Sequence, residues 1–412
     1  MSLAQARAAE YPQNKEIYLE IINNSEKQSD SFIETQETAF IELASIYASR
    51  HAAEELRELI GVARKATAAG AKSKSAKLIR TLLEKFKDIP DSQEIQITTT
   101  EECIEWTEAE NRTFLRQHLQ LKLIGLWHKM AQYQKAIELI KGLLMELKKL
   151  DDKLMLAEVQ LAEARIYHSL RNLAKARASL TSARTSANSV YCPTRLQAEL
   201  DTMSGILLAE DGDYKTAFSY FYEALDGYAS LDDAYTTTVV KYLLLVKIML
   251  NLTDDIDMIM ANKTVQKYTG KDVDAMLEVA KAHANRSLRE FEQALATHRA
   301  ILESDLFIRA HFSILYDKLL QENLVKVIEP YSCVEISFLA RQIGLDTTQV
   351  EGKLGQMILD KVLRGVIDQG NGWLIVYPEI NDDSVYESSL ETIKHMSNAV
   401  DLLYDKASAI RQ

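Results

Sequence analysis

The chain has 412 residues and a formal net charge of −12, from 48 Lys and Arg against 60 Asp and Glu, which is enough length to bury a core in two or three domains. With only 5 Pro and 14 Gly among long windows of Ala, Leu, Glu, Lys and Gln, most of it is expected to be helical. The acidic balance excludes undirected electrostatic binding to nucleic acid or anionic membrane, so proteins are the partners to expect.

The first segment, up to about Asn23, lacks a firm apolar stripe and is predicted to be loosely held. From Phe32 to Gly61 the positions Phe40, Leu43, Ile46, Tyr47, Leu56 and Ile60 follow helical spacing. Residues 62 to 87 then carry eight basic side chains (Arg64, Lys65, Lys72, Lys74, Lys77, Arg80, Lys85, Lys87) against Glu84, a local net of +7 that leaves −19 for the rest. The stretch reads either as a solvated helix face with a Lys-rich turn or as a docking patch for an acidic protein surface. Asp88 to Thr100, with Pro90 and a β-branched tail, reads as a long loop or hinge.

Three phrases repeat from there. Leu126–Ile137 (LWHKMAQYQKAI), Ile166–Arg177 (IYHSLRNLAKAR) and Leu207–Phe218 (LLAEDGDYKTAF) align on Ala136, Ala176 and Ala217, in steps of 40 and 41 residues. An apolar start, a polar turn, an aromatic or Leu and a small closing Ala form the grammar of stacked helical hairpins, each of which needs neighbours to bury its apolar face. Weaker echoes at Leu252–Ile259 and Ser287–Leu295 imply five or more hairpins.

The pattern changes after about Leu302. A long helix from Asp305, a segment Cys333–Ile343 read as helical, a turn at Gly344 and a helix Gln349–Val362 started by Asp346 precede two short β runs about Gly370-Asn371-Gly372. Helix, helix, turn, helix and hairpin make a winged helix. Its strand Trp373–Tyr377 is expected to offer an open sheet edge to a neighbour through Leu374, Ile375 and Val376. The last helix, Ser384–Gln412, carries a heptad-like seam including Ile393, Met396, Val400, Leu403 and Ile410, which packs either on its own domain or against partner helices.

No enzyme signature accompanies these elements. Walker-type glycines, H-E-x-x-H, His-x-His and G-x-S-x-G are all missing from the sequence, so no catalytic, cofactor-binding or metal-ligating residues are assigned. Cys103, Cys192 and Cys333 are scattered, which fits a reducing compartment and no disulfide framework. The N-terminus lacks the apolar run of a signal peptide, and Tyr242–Leu250, interrupted by Lys247, is too short to span a bilayer; a soluble chain of cytoplasm and nucleus is expected. Asp346–Val362, the would-be recognition helix, has a net charge of −1, which argues against DNA reading.

Helical repeats fused to a non-basic winged helix resemble PCI-domain proteins, the scaffold subunits of the proteasome lid, the COP9 signalosome and a translation initiation factor. The phrases RTFLRQ (Arg112–Gln117), Leu150–Pro193 with its TSARTSANSVYCP ending, NRSLREFEQAL (Asn285–Leu295) and QMILDKVLRGVIDQG (Gln356–Gly370) resemble the family of the sixth non-ATPase regulatory-particle (lid) subunit of the 26S proteasome. The resemblance implies a right-handed α-solenoid of TPR-like hairpins over 1–300, a winged-helix part of the PCI domain over 301–380 and a bundle helix over 381–412. It further implies a non-catalytic lid subunit that clamps the regulatory particle to the core particle. The solenoid would touch the core-particle α-ring and the ATPase ring, the winged helix other PCI subunits, and the C-terminal helix the lid bundle. The basic residues Arg64, Lys65, Lys72, Lys74, Lys77 and Arg80 then become candidates for the surface toward the core particle. A paralogous signalosome subunit is the alternative within the class, and a nucleic-acid-binding winged-helix protein the alternative outside it.

Overall fold

The computed structural model describes residues 18, 22, 30–66, 72–90, 92–268, 270–302, 305–377 and 384–411. They pack as two compact units, Met1–Val246 and Lys247–Gln412.

The first unit is a series of helices: α1 (Asp30–Ser49), α2 (Ala53–Ala66), α3 (Lys72–Glu84), α4 (Gln93–Ala109), α5 (Thr113–Lys129), α6 (Tyr133–Leu150), α7 (Lys153–Ser169), α8 (Leu173–Asn188), α9 (Thr194–Glu210), α10 (Tyr214–Ser230) and the start of α11 (Thr236–Met249). Four of its turns follow one rule. Asn111, Ala131, Arg171 and Gly212 adopt left-handed backbone with φ of 53°, 57°, 59° and 85°. The next residue in each case donates its N–H five residues back, Arg112 to Thr107, Gln132 to Trp127 and Asn172 to Tyr167 at 2.9 Å and Asp213 to Leu208 at 3.0 Å. This is the hydrogen-bonded stop that satisfies the last carbonyls of a helix. The following helix begins at once, because Asn172 and Asp213 accept the N–H of Lys175 and Thr216 at 3.3 Å. Stop and start signals thus sit within two residues of each other, and neighbouring helices are forced back to back.

The closing alanines do what their size predicts. Ala136, Ala176 and Ala217 are fully buried. A Cβ added at Gly205 of α9 would lie 2.7 Å from the Phe221 ring of α10, so that pair closes around the missing side chain. Successive repeats are also joined by polar bonds: His128 hydrogen-bonds Ser169 at 2.8 Å, and His168, its counterpart one phrase on, hydrogen-bonds Glu210 at 2.7 Å.

Two expectations for the N-terminal part change. Tyr18 and Ile22 are buried in the core with Phe40, Leu43, Leu56, Ile60 and Phe86, and the Tyr18 hydroxyl donates to Glu42 at 2.8 Å, so the described part of the first segment is anchored. The break after residue 88 is short, since Gln93 already opens α4. The threonines that suggested a loop are accommodated in the helix, their hydroxyls donating to carbonyls one turn back, Thr99 to Ile95 and Thr100 to Gln96 at 2.6 Å.

The second unit holds the end of α11, then α12 (Asp254–Met260), α13 (Lys263–Gln266), α14 (Lys271–Ala284), α15 (Leu288–Thr297), α16 (Arg299–Leu302) and α17 (Leu306–Ile328). The α14–α15 hairpin repeats the solenoid grammar, with Arg286 at φ 50°, Ser287 accepting from Glu290, and Ala294 buried. A winged helix follows: β1 (Cys333–Glu335), α18 (Ile336–Ile343), α19 (Thr347–Leu359), β2 (Gly365–Asp368) and β3 (Trp373–Val376). Cys333–Ile343 is therefore not one helix, since its first residues form a third strand. The β2–β3 connection spans four residues rather than two, closed by Gly372 donating to the Asp368 carbonyl at 2.9 Å and by the Asp368 side chain accepting from Gly370 and Asn371. The chain ends in α20 (Ser384–Arg411). Among the described residues no helix is long and apolar enough to cross a membrane, and no group of three potential ligands could hold a metal ion.

Candidate protein-interaction surfaces

The basic stretch divides on folding. Arg64, on α2, turns inward, and its guanidinium donates to the Glu102 carbonyl at 2.9 Å and carboxylate at 3.0 Å on α4. Arg57 also pairs with that carboxylate. Burial alone would raise the Glu102 carboxyl, but the hydrogen bonds from Arg57 and Arg64 outweigh it and hold the group below its ordinary value. Arg64 is thus a clamp between helices and is withdrawn from the docking set. Lys65, Lys74, Lys77 and Arg80 are exposed, whereas the Lys72 side chain lies outside the described residues.

The wing is organised differently from its expected form. Strand order is β1-β3-β2, all antiparallel, so β3 is central and hydrogen-bonded on both sides. Pairing through an edge at Leu374, Ile375 and Val376 is not available, and the open edges belong to β1 and β2. Alternation sends Leu374, with Val334 and Ile367 beside it, inward, where Leu374 is fully buried. The other face carries Cys333, Ile375 and Val366 in one row and Glu335, Trp373 and Asp368 in the next. Val366, Trp373 and Ile375 are 50%, 49% and 37% exposed, an apolar face without a cover. On α19 the cation Lys353 is held by Asp317 at 3.2 Å, which further removes positive charge from a nucleic-acid reading.

On α20 every side chain described from Val385 to Tyr404 is exposed. Ile393, Met396, Val400 and Leu403 are 61% to 67% exposed, Tyr386 on the same seam is exposed too, and so are Val385, Leu402 and Tyr404 beside it. Of the two readings of the seam, packing on its own domain is therefore not what the described residues do. The Ile410 side chain lies outside them. Nothing in the seam spacing showed that apolar residues outside it, such as Leu402 and Tyr404, would be exposed as well.

Residues 1–130 match the model of the 26S proteasome regulatory subunit RPN6 N-terminal domain, 295–378 the PCI domain, and 383–408 the RPN6 C-terminal helix domain. The probable 26S proteasome regulatory subunit rpn6 of Schizosaccharomyces pombe is 48% identical over 96% of this chain and 94% of its own length. The 26S proteasome regulatory subunit RPN6 of Saccharomyces cerevisiae is 48% identical over 97% and 96%. A 26S proteasome non-ATPase regulatory subunit 11 homolog of Arabidopsis thaliana is 43% identical over 93% and 91%. Identity at this level along nearly the whole length, with family-specific segments at both ends, carries the proteasome reading over its signalosome paralogue. The chain belongs to the RPN6 family of 26S proteasome regulatory subunits.

Proposed function

We propose that this chain is a non-catalytic scaffold subunit of the 26S proteasome lid, working in ubiquitin-dependent protein degradation in the cytoplasm and nucleus. It clamps the regulatory particle to the core particle and supports lid assembly. In this reading residues 1–300 form the TPR-like solenoid that meets the α-ring and the ATPase ring. Residues 301–380 meet other PCI subunits, and residues 381–412 enter a helical bundle.

The observation that carries the reading is α20. A 28-residue helix whose described apolar side chains from Val385 to Tyr404 are all exposed does not gain its stability from its own domain. Full burial of each large aliphatic side chain contributes roughly 1.5 to 3 kcal/mol, so a partner bundle offers a strong incentive to associate. The uncovered faces on α20 and on the sheet are where an assembly would form.

Deletion of residues 384–412 tests the proposal. The truncated chain should remain folded and monodisperse yet fail to co-sediment with assembled lid from a matched lysate. Aggregation, or incorporation at the normal level, would contradict it.

A further inference from the structure

Helix α3 and the start of α5 flank an open hollow of about 630 Å3, within the size range of pockets that hold a ligand. Lys77 and Arg80 line one wall, and Asn111, Arg112, Phe114 and Leu115 the other. Leu115 is buried beneath it, whereas Phe114 is 69% exposed, an aromatic left in water on the first turn of a helix. That turn also lacks a side-chain cap hydrogen bond and any acidic residue of its own.

The neighbouring cations are already matched. Arg64 is held by Glu102, Arg112 by Glu110 at 2.6 Å and Arg116 by Glu146 at 2.6 Å. Arg112 additionally stacks over Trp106 at 4.6 Å. Lys77 and Arg80 have no carboxylate within ion-pair distance among the described residues, in a chain whose net charge is −12. The two unmatched cations are thus confined to the rim of an apolar hollow.

We propose that this hollow is a docking pocket for a segment of a partner protein in which an apolar side chain is flanked by carboxylates. The apolar group covers Phe114 and Leu115, and the carboxylates pair with Lys77 and Arg80, whose planar guanidinium can donate two parallel hydrogen bonds to one carboxylate. Acidic peptide fits better than nucleic acid, because two cations beside an apolar wall match alternating charge and hydrophobicity and not a continuous phosphate row. The pocket deepens the candidate docking role of the 62–87 stretch by giving it one specific contact, and the contact and the role are separable by experiment.

The test uses the purified full chain and a fluorescein-labelled hexapeptide with two central leucines flanked by glutamates. Two controls replace the leucines with serines or the glutamates with lysines. Anisotropy should show salt-sensitive binding of the first peptide alone. Phe114→Ala and the pair Lys77→Glu/Arg80→Glu should each weaken it at least tenfold, with unchanged circular dichroism, while Arg289→Glu in the second unit leaves it intact. The charge-reversed pair should gain affinity for the lysine peptide. Equal binding of the serine peptide, or indifference to Phe114→Ala and to charge reversal, overturns the pocket. Co-sedimentation of regulatory particle carrying Lys77→Glu/Arg80→Glu with core particle separates the two readings. If peptide binding is lost but core association is normal, the pocket stands and the core-docking role falls.

Discussion

Helices α9 and α20 are built from similar residues at similar spacing, yet they end in opposite environments. Leu200, Met203 and Leu207 of α9 are at most 4% exposed, whereas Val400 and Leu403 of α20 are 63% and 67% exposed. The difference lies in what precedes and follows each stripe. Around α9 the chain reverses within a few residues at both ends and lays α8 and α10 alongside, while no described side chain of α20 from Val385 to Tyr404 is covered by another element. An amphipathic stripe states that a face is to be covered; it does not state by which chain.

That contrast can be broken by experiment, starting with the largest effect. Ile393→Asp together with Leu403→Asp should abolish incorporation into the lid while leaving the thermal transition of the isolated chain in place, as measured by co-sedimentation and calorimetry. Leu200→Asp, by comparison, should prevent folding altogether. If the α20 pair lowers the transition as Leu200→Asp does, α20 belongs to the core and the comparison fails. Within the solenoid, Phe221→Ala should cost about 3–5 kcal/mol in urea denaturation, because the ring fills the space opposite Gly205. The reverse change, Gly205→Ala, presses a methyl group into that ring and should cost about 1–3 kcal/mol.

Acid should act on the repeats and spare α20. Burial, reinforced by Arg165 and His168, holds His128 below its ordinary value of 6.5, and burial with Arg80 does the same to His118. The unfolded chain therefore takes up these protons first. Stability contributed by the neutral rings is complete above about pH 6.5 and declines as pH falls through the folded values. Denaturation followed from pH 7.5 to 5.5 should show this slope, reduced in His128→Gln; an unaltered slope would remove His128 from the account. The smallest effect is expected at Ala131, whose left-handed φ of 57° is costly for any residue with a Cβ. Ala131→Gly should raise stability by up to about 1 kcal/mol, readable as a shift in urea midpoint without a change in slope.

Much of the solenoid was legible because its signals are local. The phrases around Ala136, Ala176 and Ala217 contain the stop, the start and the close-approach residue within a dozen positions, and these alanines are buried as their size required. The β-branched run Ile97–Thr100 misled, since threonine hydroxyls can be satisfied within a helix by carbonyls one turn back and the run does not by itself require a loop. For the wing, two strands were evident from apolar runs on either side of the Gly370-Asn371-Gly372 turn, but β1 is three residues long and too short to show a period. Its arrival on the far side of β3 turned a supposed edge strand into a central one. Arg64 was indistinguishable by charge from Lys65, and only the approach of α4 separated a clamp from an exposed cation. Phe114 did leave a trace, as the apolar residue next to Leu115 that falls off the stripe of Leu115 and Leu119, but adjacency alone did not mark it as exposed.

The helical class, the repeat period, the winged-helix element near the C-terminus and the apolar stripe of the last helix were all readable from the order of amino acids. These depend on interactions between residues a few positions apart, such as caps, turns and side-chain periodicity. Tertiary structure alone decided which cations remain unmatched, which strand is central, which aromatic stays in water and that α20 keeps its face uncovered. Each of those depends on what a residue distant in sequence brings to the same place, and neither charge nor hydrophobicity along one segment contains that information.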